Sequence, residues 1–329
     1  PGTLGRCVAR AAGLPESVPG IQFDRQCASG LETINMAAAM IESGHGDVYV
    51  AGGAESETNN PYFMSKSRKA YSYAYPSFSY VMMVPPGFEG NDMGETAENV
   101  LDLYPDITRE DMDLFAYESH RKAKKAIEGG LFKEQIVPVK FKSKGKEVII
   151  DTDEDPTADS TLEELANARA VFRKDGRVTA GNSCPQNDGG AAVVVVSEEK
   201  AKELGKKPLL EIVDFASSGL NPAVMGIGPI FAIQKLLDKT GVSLDQVELI
   251  ELNEAFASQS IACIRALGLD PARVNPNGGA IALGHPLGAT GAVLTTKAAY
   301  AMQNAEREYC IVSMCVGGGE GAAALFRRP

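Results

Sequence analysis

Two segments far apart in the chain share one design. VYVAGGAES (48–56) and IVSMCVGGGEG (311–321) are each an apolar run that ends in glycines and an acidic residue. Each is preceded by a small-residue start and a helical pattern, CASGLETI and LGATGAVL respectively. A chain that repeats helix, strand and glycines in this order is constrained to form two similar halves packed face to face. Around these anchors helical and strand patterns alternate, which sets the class as α/β layers over a largely buried sheet.

The spacing of Leu31, Ile34, Ala38 and Ile41 predicts a helix over about 28–42, preceded by an apparent strand from Gly20 to Arg25. From 56 to 188 the character changes. An aromatic, proline-marked stretch (YSYAYPSFSYVMMVPPGF) leads to a charged helix near 109–128 and a hairpin-like segment, VPVKFKSKGKEVIIDTDED. Structureless loops of such length are rare inside compact domains, so this excursion reads as a folded unit of its own. GGAAVVVVS then reads as a buried strand returning to the core. After Pro208 the pattern predicts strand (LLEIVDFA), helix (PIFAIQKLLDKTG), strand (ELIEL) and helix (AFASQSIACIRALG). A glycine-rich loop, NPNGGAIALGHPLGATG, opens a helix over about 288–303, and two strands joined by a glycine turn close the chain. The expected division is residues 1–55 with 189–207 as the first half, 56–188 as the excursion, and 208–329 as the second half.

With 32 Lys and Arg against 43 Asp and Glu, the formal charge is -11, which argues against general affinity for nucleic acid or anionic membrane. An anionic small ligand would need a local basic patch; candidates are Lys66 with Arg68 and Lys69, residues 121–125, and residues 142–146. Six cysteines at irregular spacing, without a CxxC pair, do not form a disulfide framework or a zinc site, and three distant histidines do not suggest another metal. No apolar run reaches membrane-spanning length. A cytoplasmic enzyme is the expectation.

Four short segments combine reactive side chains with small residues or glycines: QCASG (Cys27), LNEAF (Asn253), GGAIALGHPLGATG (His285) and MCVGGGEG (Cys315). Each falls where a predicted strand ends or a helix begins, the place where α/β sheets gather functional groups. A thiol at a helix N-terminus is expected to have its pKa lowered towards neutrality. A thiolate beside an imidazole is the arrangement of nucleophilic catalysis. A second thiol fits a second task, moving a proton on another substrate.

At these residues the sequence resembles the thiolase family, the acetyl-CoA acetyltransferases and 3-ketoacyl-CoA thiolases. The resemblance also runs through LPESVPG, VAGGAES, MGETAENV, TAGNSCPQNDGGAA and VMGIGP, with NEAF, the GHP loop and CVGGGEG in family order. It implies paired βαβαβαββ halves stacked as αβαβα layers, with an inserted loop domain covering coenzyme A. By the same resemblance the opening strand, helix and strand of the first half, about sixty residues, are absent from this sequence, which would leave strand edges unpaired.

Carried over motif by motif, Cys27 would be the acylated nucleophile, His285 its base and Cys315 the acid/base at the α-carbon of acetyl-CoA. Asn253, through a water, and His285 would form one oxyanion hole; the backbone N–H groups of Cys27 and Gly317 would form the other. Met93, Phe172, Cys184, Met225 and Phe256 match positions near the acyl and pantetheine groups. The resemblance further implies coenzyme A as substrate without a tightly bound cofactor, fatty acid metabolism, and a homodimer or a tetramer formed through the excursion at about 56–85. This chain departs from the family at Cys184, where a Ser is usual, at Thr157 and Asp92, where an Arg and a His are frequent, and at Asp24, where an Asn is commoner. Two rivals differ in testable ways. A ketosynthase-like condensing enzyme of the same fold would lack Cys315, and a non-catalytic acyl-CoA binder would not turn over 3-ketoacyl-CoA.

Overall fold

Strands need partners, and the second half of the chain supplies its own. In the computed structural model, which describes residues 3–66, 75–79, 81–154, 156, 161–303 and 308–329, the elements follow in chain order. They are α1 (Leu4–Ala11), α2 (Ser29–Glu42), β1 (Val48–Glu55), β2 (Phe63–Met64), β3 (Phe78–Ser79), α3 (Met93–Leu103) and α4 (Arg109–Glu128). Next come β4 (Val139–Ser143), β5 (Lys146–Ile150), α5 (Leu162–Asn167), β6 (Gly189–Val196), α6 (Glu198–Glu203), β7 (Glu211–Gly219) and α7 (Gly228–Thr240). The last are β8 (Val247–Leu252), α8 (Ala257–Leu267), α9 (Ala280–Leu283), α10 (Leu287–Gln303), β9 (Tyr309–Val316) and β10 (Glu320–Arg327). Arg68, Lys69 and Thr157 lie outside the described residues.

The second-half sheet has the order β7-β10-β9-β8, with β8 parallel to β9 and the other pairs antiparallel. A single parallel bridge from Val274 to Ile250 extends it by one residue. The first-half sheet is β1 paired antiparallel with β6, Val50 facing Val194. Between the two sheets lie α2 and α10, the helices of the repeated design, and α7 covers the outer face of the larger sheet. The central crossing is made possible by glycine. A Cβ on Gly30 would sit 2.9 Å from the Ala292 nitrogen, and one on Gly291 would sit 2.1 Å from the Leu31 nitrogen, so the two helices meet backbone to backbone. Leu249, Leu252, Ile311, Val312, Leu325 and Phe326 fill the sheet's two buried faces.

The described residues between 56 and 188 carry helices and strands of their own. A capping box of Thr108 and Asp111 starts α4, and α3 and α4 pack on α8, tying the excursion to the second half. The hairpin read in VPVKFKSKGKEVIIDTDED is the β4–β5 pair.

Two local expectations fail. Residues 20–25 are not a strand: they have no ladder partner among the described residues, and apolar composition cannot supply one. GGAAVVVVS does form β6, but the strand is only half buried. One face packs on α2 and α10, while the other is bare among the described residues, leaving Val194, and Val48 and Val50 of the neighbouring β1, at 64%, 47% and 61% exposure.

Candidate active site

The nucleophile candidate sits in a turn built by its neighbours. Cys27 lies in a short 3₁₀ turn, Gln26–Ala28, directly before α2. The Asp24 carboxylate accepts the Gln26 N–H at 3.0 Å, so the acidic residue found where Asn is commoner still closes an Asx-type turn. The Ser29 hydroxyl accepts the Arg25 N–H at 2.9 Å and donates to the Gln26 carbonyl at 2.7 Å. These bonds hold Gln26 at a φ of 49°, left-handed backbone that a non-glycine residue seldom adopts.

The thiol is buried, and that overrides the helix start. Burial pushes Cys27 up to about 11, against the pull of the Gly317 N–H and its own N–H and with a further push from the Glu55 carboxylate. The expectation of a lowered pKa is therefore corrected: in the free protein this is a protonated thiol that needs a base. His285 is suited to be one. Burial depresses it to about 4, so the imidazole is neutral at physiological pH.

The geometry also fixes which nitrogen is free. The Thr290 hydroxyl donates its one hydrogen to the Pro286 carbonyl at 2.9 Å, so at 2.6 Å from His285 Nδ1 it can only accept. Nδ1 must then carry the ring hydrogen, leaving Nε2 with a lone pair, 3.4 Å from Asn253 Nδ2. Asn253 Oδ1 is buried without a hydrogen-bond partner among the described residues, an acceptor that a bound water or ligand would satisfy.

Four segments are tied into one place. The Asn253 N–H donates to the Ser313 carbonyl on β9, and the Cys184 N–H donates to the Ala255 carbonyl. The His285 N–H bonds Asn187 Oδ1 at 3.1 Å and the Pro185 carbonyl at 3.3 Å. Cys315, fully buried near the end of β9, is pushed well up by burial and then by the neighbouring thiols Cys27, Cys263 and Cys184. Cys184 itself is raised to about 12, by burial first and then by Cys27.

The residues matched to the acyl and pantetheine region also gather here. Phe172 meets Phe256 edge to face with ring centroids 6.1 Å apart. A Cβ on Gly317 would lie 3.7 Å from the Met93 sulfur. Met225 is packed into the same apolar cluster as Cys315 and Phe256.

Sequence reasoning missed several members. Met83 packs over Gly317, its sulfur 2.7 Å from where a Cβ would be, so a larger residue there would displace that side chain. Thr290 stood inside the quoted GHPLGATG motif without a role; its place five residues after the histidine, at a helix start, was the available signal. Gln259 Oε1 lies 4.0 Å from the Cys315 sulfur, while its Nε2 is buried without a partner among the described residues. Glu55 accepts the Gly288 N–H at the start of α10.

Layered α/β halves that bring two thiols, an imidazole and a carboxamide to one buried point are the architecture of a thiolase-type acyltransferase. The comparisons with known proteins agree. The family models for the thiolase N-terminal domain and the thiolase C-terminal domain match residues 2–199 and 206–328. The acetyl-CoA acetyltransferase of Syntrophomonas wolfei is 44% identical over 98% of this chain and 84% of its own length. The crystal structure of the Bacillus anthracis acetyl-CoA acetyltransferase superposes with a TM-score of 0.94 at 44% identity, covering 99% of this chain and 83% of that one. The human mitochondrial 3-ketoacyl-CoA thiolase does so with a TM-score of 0.92 at 35% identity, over 99% and 83%. This chain belongs to the thiolase family, and with it to the acyl-CoA C-acyltransferases.

Proposed function

We propose that the reversible thiolysis of 3-ketoacyl-CoA runs in this protein through an acyl group on Cys27. His285 Nε2 takes the Cys27 proton as the sulfur attacks the keto carbon, and the bond from that carbon to the α-carbon breaks to leave an acetyl-CoA enolate. The Cys315 thiol gives its proton to the α-carbon. The thiol of coenzyme A then gives its proton to the Cys315 thiolate and attacks the Cys27 thioester; the shortened acyl-CoA leaves, and the Cys27 sulfur recovers its proton from His285. In reverse, the steps are a Claisen condensation of two acyl-CoAs. The oxyanion at the acyl carbon is received by the N–H groups of Cys27 and Gly317. The enolate oxygen is received by the Asn253 carboxamide, through a water, together with His285.

The observation that carries this reading is that the Gly317 N–H lies near enough to the Cys27 sulfur to pull its pKa down against burial. On this reading the nucleophile of one half lies against the backbone donor of the other. Coenzyme A enters as substrate rather than resident cofactor. The described residues between 56 and 188 are its cover, with Met83 and Met93 over Gly317 and Phe172 on Phe256. A homodimer or tetramer is part of the same proposal, as is a place in the metabolism of fatty acyl-CoA.

Rapid quenching after mixing with acetoacetyl-CoA, followed by peptide mass spectrometry, tests it. An acetyl adduct on the Cys27 peptide, absent from Cys27→Ala, is the expected result. An adduct on another residue, or turnover surviving in Cys27→Ala, overturns the assignment.

A further inference from the structure

The side chain two residues before Cys27 takes no part in the chemistry above, yet it touches both halves of the molecule. Arg25, 19% exposed, donates through Nη1 to Glu32 Oε2 at 2.6 Å and to Ser217 Oγ at 2.8 Å. Through Nε it donates to Glu320 Oε2 at 2.9 Å. Glu32 stands in the first turn of α2, whereas Ser217 lies on β7 and Glu320 opens β10. One guanidinium therefore spans the gap between the turn carrying Cys27 and the turn joining β9 to β10.

That second turn needs fixing. It is Gly317, Gly318 and Gly319 in succession, with φ of 92° and 88° at the last two, a stretch with more backbone freedom than any other residue type would give. Its far side is held by the Leu220 N–H on the Gly319 carbonyl. On the Cys27 side, the Arg25 bond to Glu320 is the tie. A planar guanidinium presents its donors in a rigid fork, so it holds two partners at a set separation in a way that a flexible ammonium does not.

Charge is not the means. The acidity of the Cys27 thiol is governed by burial, the two backbone N–H groups and the Glu55 carboxylate. The Arg25 cation faces two carboxylates of its own. What remains is geometry. The Gly317 donor must meet the oxygen that develops on the acyl carbon, and a displacement of about 1 Å at such a donor is enough to cost on the order of a hundredfold in rate.

We propose that Arg25 is a positioning residue: bridging Glu32 and Glu320, it sets the separation between the Cys27 sulfur and the Gly317 N–H and so registers the two halves at the acyl-bearing atom. The proposal rests on Cys27 being the nucleophile.

The test compares the intact protein with Arg25→Lys, Glu320→Gln and the double variant, reading the rate of Cys27 acetylation by acetoacetyl-CoA, kcat, KM and stability to denaturant. Arg25→Lys keeps the cation and loses the fork. It is expected to slow acetylation by about 10- to 100-fold, as a misplaced donor would. KM should move by less than about threefold, since ground-state binding is untouched. Glu320→Gln should act in the same direction, and the double variant should be no slower than the worse single one, because both break one bond. Acetylation within about twofold of the parent despite lowered stability, or losses that simply add, would make Arg25 a mere strut and overturn the proposal. Acetylation of the parent protein at a residue other than Cys27 would instead bring down the nucleophile assignment, whatever the Arg25 variants do.

Discussion

At the scale of single residues, the proposed site leaves the His285 ring one free nitrogen. Thr290 takes up the Nδ1 hydrogen of His285 because its own hydrogen is committed to Pro286. In Thr290→Val that ring N–H is buried without an acceptor, a loss of about 1–3 kcal/mol that translates into roughly a 5- to 150-fold fall in kcat/KM. Steady-state kinetics at pH 7 check this, and an unchanged value would remove Thr290 from the machinery. Asn253→Ala should cost about 10²- to 10³-fold if the carboxamide supports an oxyanion donor. Acidity gives an independent measurement. A Cys27 thiol at about 11 is alkylated by iodoacetamide at a rate that climbs tenfold per pH unit past its ordinary 9.0, with no plateau before that value. A plateau at neutral pH, followed by mass spectrometry of the Cys27 peptide, would mean that the backbone donors outweigh burial after all.

Among the elements, the crossing of α2 and α10 is where sequence and site are joined. Both helices begin beside a reactive residue, Cys27 or His285, and their backbones touch through Gly30 and Gly291. In Gly291→Ala the new methyl meets the Leu31 backbone at 2.1 Å, a contact that only a shift of one helix can relieve. Overpacking of this kind costs about 1–3 kcal/mol, and here the shift also moves Cys27 relative to His285, so a lower urea midpoint should come with a lower kcat. Loss of stability with full activity would show that the two helix starts are not coupled. These helices were legible in the sequence, α2 from its local apolar spacing and α10 from the glycine-rich loop that opens it, as were the charged helix α4 and the β9–β10 hairpin with its glycines. The failures share one cause: pairing is not local. Among the described residues, 20–25 have strand composition but no ladder, and β6 has four valines in a row but only one packed face. The third strand expected of the second half is reduced to Val274, because Asn275, at a φ of 44°, bonds both the N–H and the carbonyl of Leu252 with its own carboxamide. Asn253, His285 and the two thiols could be read from motif and order. Thr290, Met83 and Arg25 matter only through distances that folding creates.

For the molecule as a whole, burying neutral forms of titratable groups at the centre of a two-sheet sandwich makes stability depend on pH from both sides. His285 is held near 4 against an ordinary 6.5, so the folded state favours the neutral ring. Its contribution is complete above pH 6.5 and is lost as pH falls through that value towards 4. Cys27 is held near 11 against 9.0, so the folded state favours the protonated thiol; its contribution is complete below pH 9 and is lost as pH rises towards 11. Each displacement is worth on the order of 3 kcal/mol at full effect, a sizeable part of the stability of an ordinary domain. Urea unfolding at closely spaced pH values should therefore give a plateau between about 6.5 and 9 with a decline on either side. Carboxylates titrate in the lower part of the acid window, so the acid limb is separated by comparison with His285→Gln. That variant lacks the ring proton, and its stability should fall by about 3 kcal/mol less than the parent's between pH 7 and 4. Parallel acid limbs in the two proteins would mean that His285 titrates alike in the folded and unfolded states, and so would not sit as a neutral base in the buried centre where the two halves meet.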